Sequence, residues 1–189
     1  MCLLLVGVTL AVADPVRALT SSMHEQFDHL TGARDAIVAG DLAAVNAAGD
    51  ALSTLDAPES LPPGWLSFVA AVNVEAVVMR SATDLPTAAH AVAQATVPCG
   101  GCHSFAGKGP DLRKARSIPP QTWDPGSNMQ LHAWSLNWMW LGLIAHDDAA
   151  WERGARELVR QPIQLMFERS PPDGKRELEQ LVVVAAGRA

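Results

Sequence analysis

The sequence predicts an all-α fold, an up-down helical bundle followed by a second helical repeat. Three observations favour this class: alanine is abundant, tyrosine is absent, and no alternating run of β-branched residues is long enough for a sheet strand. Apolar residues make up 49% and charged residues 18% of the 189 residues, which is typical of a globular protein. A chain of this length can bury a hydrophobic core.

Capping residues predict the first two helices. Ser22 and Glu25 have the spacing of a capping box, which predicts the start of a helix that Gly40 ends. Asp41 then predicts the N-cap of a second helix that runs to about Leu55. We therefore expect a helical hairpin at the start of the bundle.

A proline-rich break over 58–63 separates this hairpin from a third predicted helix over 64–82. Asp84 predicts the start of a fourth helix, with Pro86 in its first turn. This helix is predicted to run to about Val97 and to place the cysteines that follow at its C-terminal end.

The remainder of the chain is predicted to begin with a loop and to end with three helices. Residues 107–126 are rich in proline and glycine and are interpreted as a linker. Helices are predicted at roughly 127–146, 148–160 and 172–187.

An internal repeat relates the two parts of the chain. Residues 23–52 align without a gap on residues 129–158, with a constant shift of 106 that brings a methionine and a capping aspartate into register. The alternative is that two alanine-rich amphipathic helix pairs are alike by composition alone. We favour a diverged repeat whose second copy has no counterpart of the fourth helix.

The N-terminus carries an apolar run from Leu3 to Val12. This run is shorter than the ~20 residues that a membrane-spanning helix needs, so no transmembrane span is predicted. Ala11 and Ala13 fit the small-x-small pattern of a signal-peptide cleavage site, although no basic leader precedes the run. The segment is either a secretory signal or an ordinary buried stretch, and we favour the signal, which predicts a periplasmic protein.

Charge and composition exclude several functional classes. The net charge is −6 with a pI near 5.4, and the chain has no basic cluster, so a nucleic-acid partner is not expected. An acidic balance permits a basic protein partner. No Ser/His/Asp triad and no phosphate-binding glycine loop can be assembled, so we do not expect an enzyme.

The most specific motif is Cys99-Gly100-Gly101-Cys102-His103, which has the form of the attachment signal for a c-type haem. The thiols of Cys99 and Cys102 would add across the two vinyl groups, and the two glycines would leave room for the porphyrin. His103 would then take one axial position on the iron. We expect one haem c per chain.

The cysteine pair has three other interpretations. The pair could be a disulfide in an oxidising compartment, a thioredoxin-like redox pair, or half of a zinc site. A redox pair opens a helix after a strand, whereas this pair closes a helix. A zinc site needs two further ligands at short spacing, and the sequence has no second cysteine cluster.

Two residues are candidates for the distal iron ligand. Met23 begins an apolar stripe on the first predicted helix, although a methionine in such a stripe is more often part of the core. His132 lies on the inward face of the first helix of the second repeat, where a carbonyl or a carboxylate is the alternative partner. A third possibility is an open distal position. The other histidines are expected at the surface: His24, His29, His90 and His146.

The predicted helix over 127–146 carries two apolar stripes on roughly opposite sides. The first stripe is Met129, Leu136, Trp140 and Leu143, and the second is Leu131, Trp134, Trp138 and Leu141. A helix that is apolar all round is usually buried between layers. We therefore expect it to be sandwiched between the haem unit and its own partner helices, unless one stripe is an oligomer interface.

A haem motif at the end of a fourth amphipathic helix resembles the four-helix-bundle cytochromes of the cytochrome c-prime type. The resemblance covers about residues 20–105 and implies that the start of the first helix lies over the second haem face. This chain departs from the family because it continues well past the motif. The segment "CHSFAGKGPDL" is similar to the small mitochondrial-type cytochromes, which implies that Gly109-Pro110 forms a turn beside the axial histidine.

The predicted organisation is a signal-like segment (1–18), a haem-binding helical bundle (19–106), a linker (107–126) and a second repeat packed on the haem unit (127–189). The expected function is single-electron transfer by a periplasmic mono-haem cytochrome that meets redox partner proteins. The alternatives are a haem protein that binds or senses NO or CO, and an accessory subunit of a larger redox complex. A homo-oligomer is also possible.

Overall fold

The computed structural model describes residues 15–57, 61–112 and 125–160. Across these ranges the protein is entirely helical and has no strand, which confirms the predicted all-α class. The α-helices are α1 (Pro15–Ala39), α2 (Leu42–Thr54), α3 (Leu66–Ser81), α4 (Leu85–Ala106), α5 (Pro125–Ala145) and α6 (Asp148–Arg160). A 3-10 turn at Pro63–Trp65 precedes α3. None of the helices described is long and apolar enough to cross a bilayer.

The corner between α1 and α2 ends one helix and starts the next, as the capping residues predicted. Gly40 has a φ of 76°, and the amides of Gly40 and Asp41 donate to the Ile37 and Ala36 carbonyls at 3.1 and 2.9 Å. These two bonds form a Schellman motif, in which glycine tolerates the left-handed conformation. The Asp41 carboxylate then accepts a hydrogen bond from the Ala44 amide at 3.0 Å.

The predicted start of α1 was wrong. The helix begins at Pro15, so Ser22 and Glu25 lie inside it and do not cap it. Proline is well suited to a first helical turn because the amide hydrogen it lacks would have no partner there. The last residues of the predicted signal-like segment, 15–18, therefore belong to α1, and residues 1–14 lie outside the described ranges.

Helices α2 and α3 pack closely because of a glycine and an asparagine. A Cβ on Gly49 would lie 2.5 Å from the Arg80 amide nitrogen, so no larger residue fits without a backbone shift. The Asn46 side-chain amide donates to the carbonyls of Met79, Arg80 and Ala82 at 2.8–3.1 Å. These carbonyls lie at the C-terminal end of α3, where intrahelical donors run out.

Helix α4 starts where predicted and ends later. The Asp84 carboxylate accepts a hydrogen bond from the Thr87 amide at 2.7 Å and caps the helix. The predicted end near Val97 was too early, since the helix continues through Pro98 to Ala106. Pro98 lacks the amide hydrogen that would bond the carbonyl one turn earlier, but the rest of the ladder continues. One face of α4 is buried along its length and comprises Ala88, Ala91, Val92, Ala95 and Cys102.

The chain divides into two compact units, Met1–Pro98 and Cys99–Ala189. The haem motif therefore belongs to the second unit, although α4 begins in the first. The predicted domain boundaries stay a prediction. The predicted helix over 172–187 and most of the predicted linker lie outside the described residues.

The α5–α6 corner reproduces the α1–α2 corner at a shift of 106. Helix α1 ends at Ala39 and α5 at Ala145, while α2 spans Leu42–Thr54 and α6 spans Asp148–Arg160. His146 takes the place of Gly40, with a φ of 54°. Three matched helix boundaries and a matched corner give the predicted repeat a common local geometry.

The hydrogen bonds of the second corner are also those of the first. The amides of His146 and Asp147 donate to the Leu143 and Gly142 carbonyls at 3.4 and 2.9 Å. The Asp147 carboxylate accepts from the Ala150 amide at 3.0 Å, the same distance as at the first cap. An aspartate after a left-handed residue thus encodes the same turn twice.

The second unit has a core built on one apolar stripe of α5. Trp138 is 3% exposed and packs with Leu112, Ala145 and Ala150. The Trp134 ring lies 5.8 Å from the Trp138 ring, whose face carries the Arg153 guanidinium at 4.5 Å. This is a cation–π contact on a buried tryptophan.

The other apolar stripe of α5 is largely exposed. Trp140 is buried, but Met129, Leu136 and Leu143 are 51%, 48% and 45% exposed. The predicted packing of α5 between the haem unit and its partner helices stays a prediction.

Candidate haem-attachment site

The cysteines and the histidine lie on the last two turns of α4. Cys99 and Cys102 are one helical turn apart, and they do not form a disulfide. Cys102 is buried and Cys99 is half-buried. Helical spacing holds the two sulfur atoms on one side of the helix, as attachment to two vinyl groups of one porphyrin edge requires.

His103 is held by a hydrogen bond to α5. Its Nδ1 atom lies 2.6 Å from the carbonyl oxygen of Ile144. A carbonyl can only accept, so Nδ1 carries the hydrogen and donates it. In the neutral ring, Nε2 then keeps its lone pair, which is the form of histidine that binds a metal.

The Ile144 carbonyl oxygen can accept a hydrogen bond from a side chain because it lies in the corner between α5 and α6. The last four carbonyls of a helix have no intrahelical donor. The Schellman motif satisfies the carbonyls of Gly142 and Leu143, and Ile144 is the next residue. His103 supplies the donor that this carbonyl would otherwise lack.

Gly100 allows two helices to approach closely, because a Cβ at this position would lie 2.5 Å from the Leu143 carbonyl oxygen. The predicted role of Gly100 in leaving room for a porphyrin stays a prediction. The absent side chain lets the end of α4 approach the end of α5. Gly100 therefore serves helix packing, and this packing brings His103 within reach of Ile144.

Gly109 lies against the histidine, where the resemblance to the small cytochromes placed a glycine-proline turn. A Cβ on Gly109 would lie 3.3 Å from the Cβ of His103 and 3.1 Å from the Ala145 carbonyl oxygen. Both distances are shorter than most Cβ contacts, so a larger residue would press on the imidazole.

An open cleft of about 350 Å³ lies next to this contact. It is lined by Gly109, Pro110, Asp111, Ala145, His146, Asp147 and Asp148. Neither cysteine lines this cleft, and its polar walls do not suit a porphyrin.

The thiol pKa values argue against a redox pair. Burial, together with the neighbouring Cys102, raises the pKa of Cys99 from 9.0 to about 11. Burial also raises the pKa of Cys102. A catalytic redox cysteine needs a lowered pKa, which a helix N-terminus provides, whereas these thiols lie near a helix C-terminus.

The zinc interpretation gains no ligands from the fold. Within residues 15–57, 61–112 and 125–160, no three His, Cys, Asp or Glu side chains come together as metal ligands would. The donors that are present, two thiols and one oriented imidazole, fit the attachment of a c-type haem, for which the protein supplies a single nitrogen on this side.

His132 is half-buried and lies on α5, twelve residues before Ile144. At about 1.5 Å per residue these positions are about 18 Å apart along the helix axis. Its candidacy for the distal position stays a prediction.

Met23 is half-buried on α1, in the first unit. Its candidacy for the distal position stays a prediction. Of the histidines expected at the surface, His24, His90 and His146 are exposed, while His29 is half-buried.

One participant in the site, the carbonyl of Ile144, is not predictable from the sequence. A backbone oxygen carries no residue-type signal, and its donor lies 41 positions away in the chain. The repeat predicted the corner that leaves this carbonyl available, but not which side chain would meet it.

Comparison of the chain with protein-family models, with curated proteins and with solved structures finds no match. Cys99, Cys102 and His103 are therefore the residues that indicate a function.

Proposed function

We propose that the protein is a periplasmic mono-haem c-type cytochrome that transfers single electrons between redox partner proteins. One observation carries the proposal: His103, directly after the cysteine pair, donates through Nδ1 to a backbone carbonyl and so presents Nε2 as a ligand. A half-buried histidine that only fills space has no need of this orientation beside a cysteine pair.

Each residue has a defined part in this function. Cys99 and Cys102 would form the two thioethers, and His103 would supply one axial nitrogen. When bound, the haem supplies an iron that gains and loses one electron. The Ile144 carbonyl accepts a hydrogen bond from Nδ1–H and so increases the electron density on the imidazole. With a haem bound, this would favour the oxidised iron and lower the reduction potential.

The distal position decides between electron transfer and gas binding. His132 and Met23 are the two candidate ligands, and an open distal position is the third possibility. A fixed distal methionine supports an electron carrier. An empty distal side would support the alternative, binding of NO or CO.

The proposal is tested by producing the full chain in a bacterium with an active system for c-type haem maturation. We expect a coloured protein whose mass exceeds that of the chain by one haem, and which keeps the haem after denaturation. Cys99→Ser or Cys102→Ser should remove one thioether, and the double variant should be colourless. His103→Ala should abolish the wild-type spectrum, whereas His90→Ala, an exposed histidine on the same helix, should preserve it.

Optical spectra of the oxidised and reduced protein give a second measurement. Low-spin bands in both states support the electron carrier, and their loss in Met23→Ala identifies the distal ligand. A high-spin ferric spectrum with uptake of CO supports gas binding. Colourless protein without added mass contradicts both functions.

A further inference from the structure

We propose that the C-terminal segment 172–187 packs as a helix on an apolar face of α6 and so completes the second unit. The segment and the face belong to the same compact unit, Cys99–Ala189. The packing involves only residues of this chain and does not depend on the haem.

Helix α6 has one side against α5 and a neighbouring apolar side that is partly exposed. Gly154 lies against Ser135 and Met139 of α5. The neighbouring side, which we call the open face of α6, comprises Trp151, Ala155, Leu158 and Val159. The first three are half-buried, and Val159 is 60% exposed. Their spacing of three and four residues places them on one side of the helix.

In the first repeat the equivalent face is covered by a helix. At the shift of 106, the equivalents of the first three residues of the open face are Val45, Gly49 and Leu52 on α2. All three are buried, with Val45 at 0% and Leu52 at 1% exposure. Helix α3 packs on α2 here, with the Met79 side chain and the Ala76 carbonyl next to Gly49. The same positions of α6 remain partly exposed instead.

The chain after α6 has the length and the pattern of a second α3. Residues 55–65 connect α2 to α3, and an equal number, 161–171, lead from α6 to position 172, the equivalent of the first residue of α3. The buried residues of α3 are Val72, Ala76 and Met79. Their equivalents in the segment are Leu178, Val182 and Ala185. The segment is therefore apolar at each position that α3 buries.

Residue sizes on the two sides of the proposed contact are complementary. Ala155 has a methyl group where α2 has Gly49, and the segment has Ala185 where α3 has Met79. One side gains volume and the other loses it, which helix packing tolerates better than a gain on both sides.

The segment of the same chain is a better occupant of the open face than a second copy. A short connection gives a tethered segment an effective concentration on the order of 1 mM, which a second chain in dilute solution does not reach. Covering the open face removes apolar surface from water, and this favours the packed arrangement.

The first test is a disulfide in the full-length chain. A Cβ on Gly49 would lie 2.7 Å from the Met79 Cβ, so the equivalent pair, Ala155 and Ala185, should approach the ~3.8 Å between Cβ atoms that a disulfide needs. We expect Ala155→Cys with Ala185→Cys to crosslink under mild oxidation, as peptide mapping of the monomer would show. Ala155→Cys with Val183→Cys, which places the second thiol on another side of the predicted helix, should not crosslink.

The second test needs no new cysteine. Val182 and Val183 are adjacent valines, and their equivalents in α3 are Ala76, which is buried, and Val77, which is 45% exposed. We expect Val182→Asp to make the α6 amides exchange roughly tenfold faster or more, because a carboxylate without a partner is not stable in an apolar contact. Val183→Asp should leave α6 unchanged, and α2 should exchange at the wild-type rate in both variants.

Equal crosslinking of the two cysteine pairs, or none in either, would overturn the packing. Equal exchange of α6 in the two aspartate variants would do the same. A disulfide that joins two chains, seen as a doubled mass, would assign the open face to a second copy and also overturn the proposal. A chain that never binds haem would refute the proposed function and leave both tests of the packing unaffected.

Discussion

The hydroxyl group of Ser135 is buried in α5 without a hydrogen-bond partner among the described residues. The residue has no exposed surface, and it lies where Gly154 of α6 approaches the Ser135 carbonyl and Met139. An unbonded buried hydroxyl costs free energy that a methyl group does not. The small side chain serves close helix packing, and its oxygen contributes nothing to that.

We expect Ser135→Ala to raise the free energy of unfolding by about 1 kcal/mol, because it removes the unsatisfied oxygen and keeps the volume small. Alanine also favours helix over serine by a few tenths of a kcal/mol. Ser67→Ala, at an exposed position on α3, measures the gain in helix propensity alone. Urea unfolding of the two variants gives the difference, and an equal gain in both would show that the hydroxyl costs nothing.

The Asp84 cap should make stability depend on pH on the acid side. Hydrogen bonds from the Thr87 amide and hydroxyl lower the pKa of Asp84 below its ordinary value of 3.8. A carboxyl group whose pKa is lower in the folded state than in the unfolded state stabilises the fold at pH values above its unfolded-state pKa. This stabilisation is lost as the pH falls through its folded-state pKa.

Asp84→Asn keeps an oxygen that accepts from Thr87 but cannot titrate. We therefore expect its urea midpoint to fall less than that of the wild type between about pH 5 and pH 2. Asp28→Asn, on the exposed side of α1, controls for the loss of a surface charge. Identical acid profiles for the wild type and Asp84→Asn would refute the role of the cap.

At the scale of the elements, the two helical corners differ in one residue that matters. Gly40 has a φ of 76° and His146 a φ of 54°, so a glycine and a histidine occupy the same left-handed position. A side chain in this conformation costs about 1–2 kcal/mol relative to the ordinary helical region. The second corner therefore stores strain that the first corner does not.

We expect His146→Gly to stabilise the protein by about 0.5–1 kcal/mol, since the relief of strain exceeds the added freedom of the unfolded chain. Gly40→Ala should destabilise it by about 1 kcal/mol. Thermal unfolding of the two variants checks the opposite signs. A destabilised His146→Gly would mean that the exposed imidazole makes contacts that outweigh the strain.

Helix ends were predictable to the extent that local chemistry decides them. Gly40, Asp41 and Asp84 act within one turn, and each has its predicted role. The start of α1 was not predicted correctly, because the capping-box spacing at Ser22 lies inside a helix that already begins at Pro15. The end of α4 was missed because the helix tolerates Pro98, although a residue before proline usually avoids helical geometry.

The site was predictable in its residues and not in its surroundings. Cys99, Cys102 and His103 form a contiguous motif, so the sequence alone singled them out. The partner of His103 and the true neighbour of Gly100 lie on α5, some forty residues away. Such contacts follow from packing between helices, and no spacing rule in the chain encodes them.

At the scale of the whole molecule, one hairpin design is used in both compact units. Asp41 caps α2 in the first unit and Asp147 caps α6 in the second, each with a 3.0 Å bond to the amide three residues on. If the hairpins are copies, equivalent changes should have equivalent costs even though the surrounding side chains differ.

We expect Asp41→Ala and Asp147→Ala each to cost about 1 kcal/mol in the unit that contains it. Hydrogen exchange resolves this locally, because it reports protection of α1–α2 and α5–α6 amides separately. Asp41→Ser and Asp147→Ser retain a capping oxygen and should restore most of the protection. A cost confined to one hairpin would show that the shared turn is stabilised by different means in the two units.

Pro98 precedes the first cysteine directly and has no amide hydrogen to give to the carbonyl of Gln94. The backbone ladder of α4 is therefore interrupted just upstream of the reactive sulfurs. Unwinding Pro98–Ala106 from the rest of the helix breaks one hydrogen bond fewer than unwinding the same length elsewhere. If a haem is attached as proposed, this is the point at which α4 would open most easily to expose both thiols.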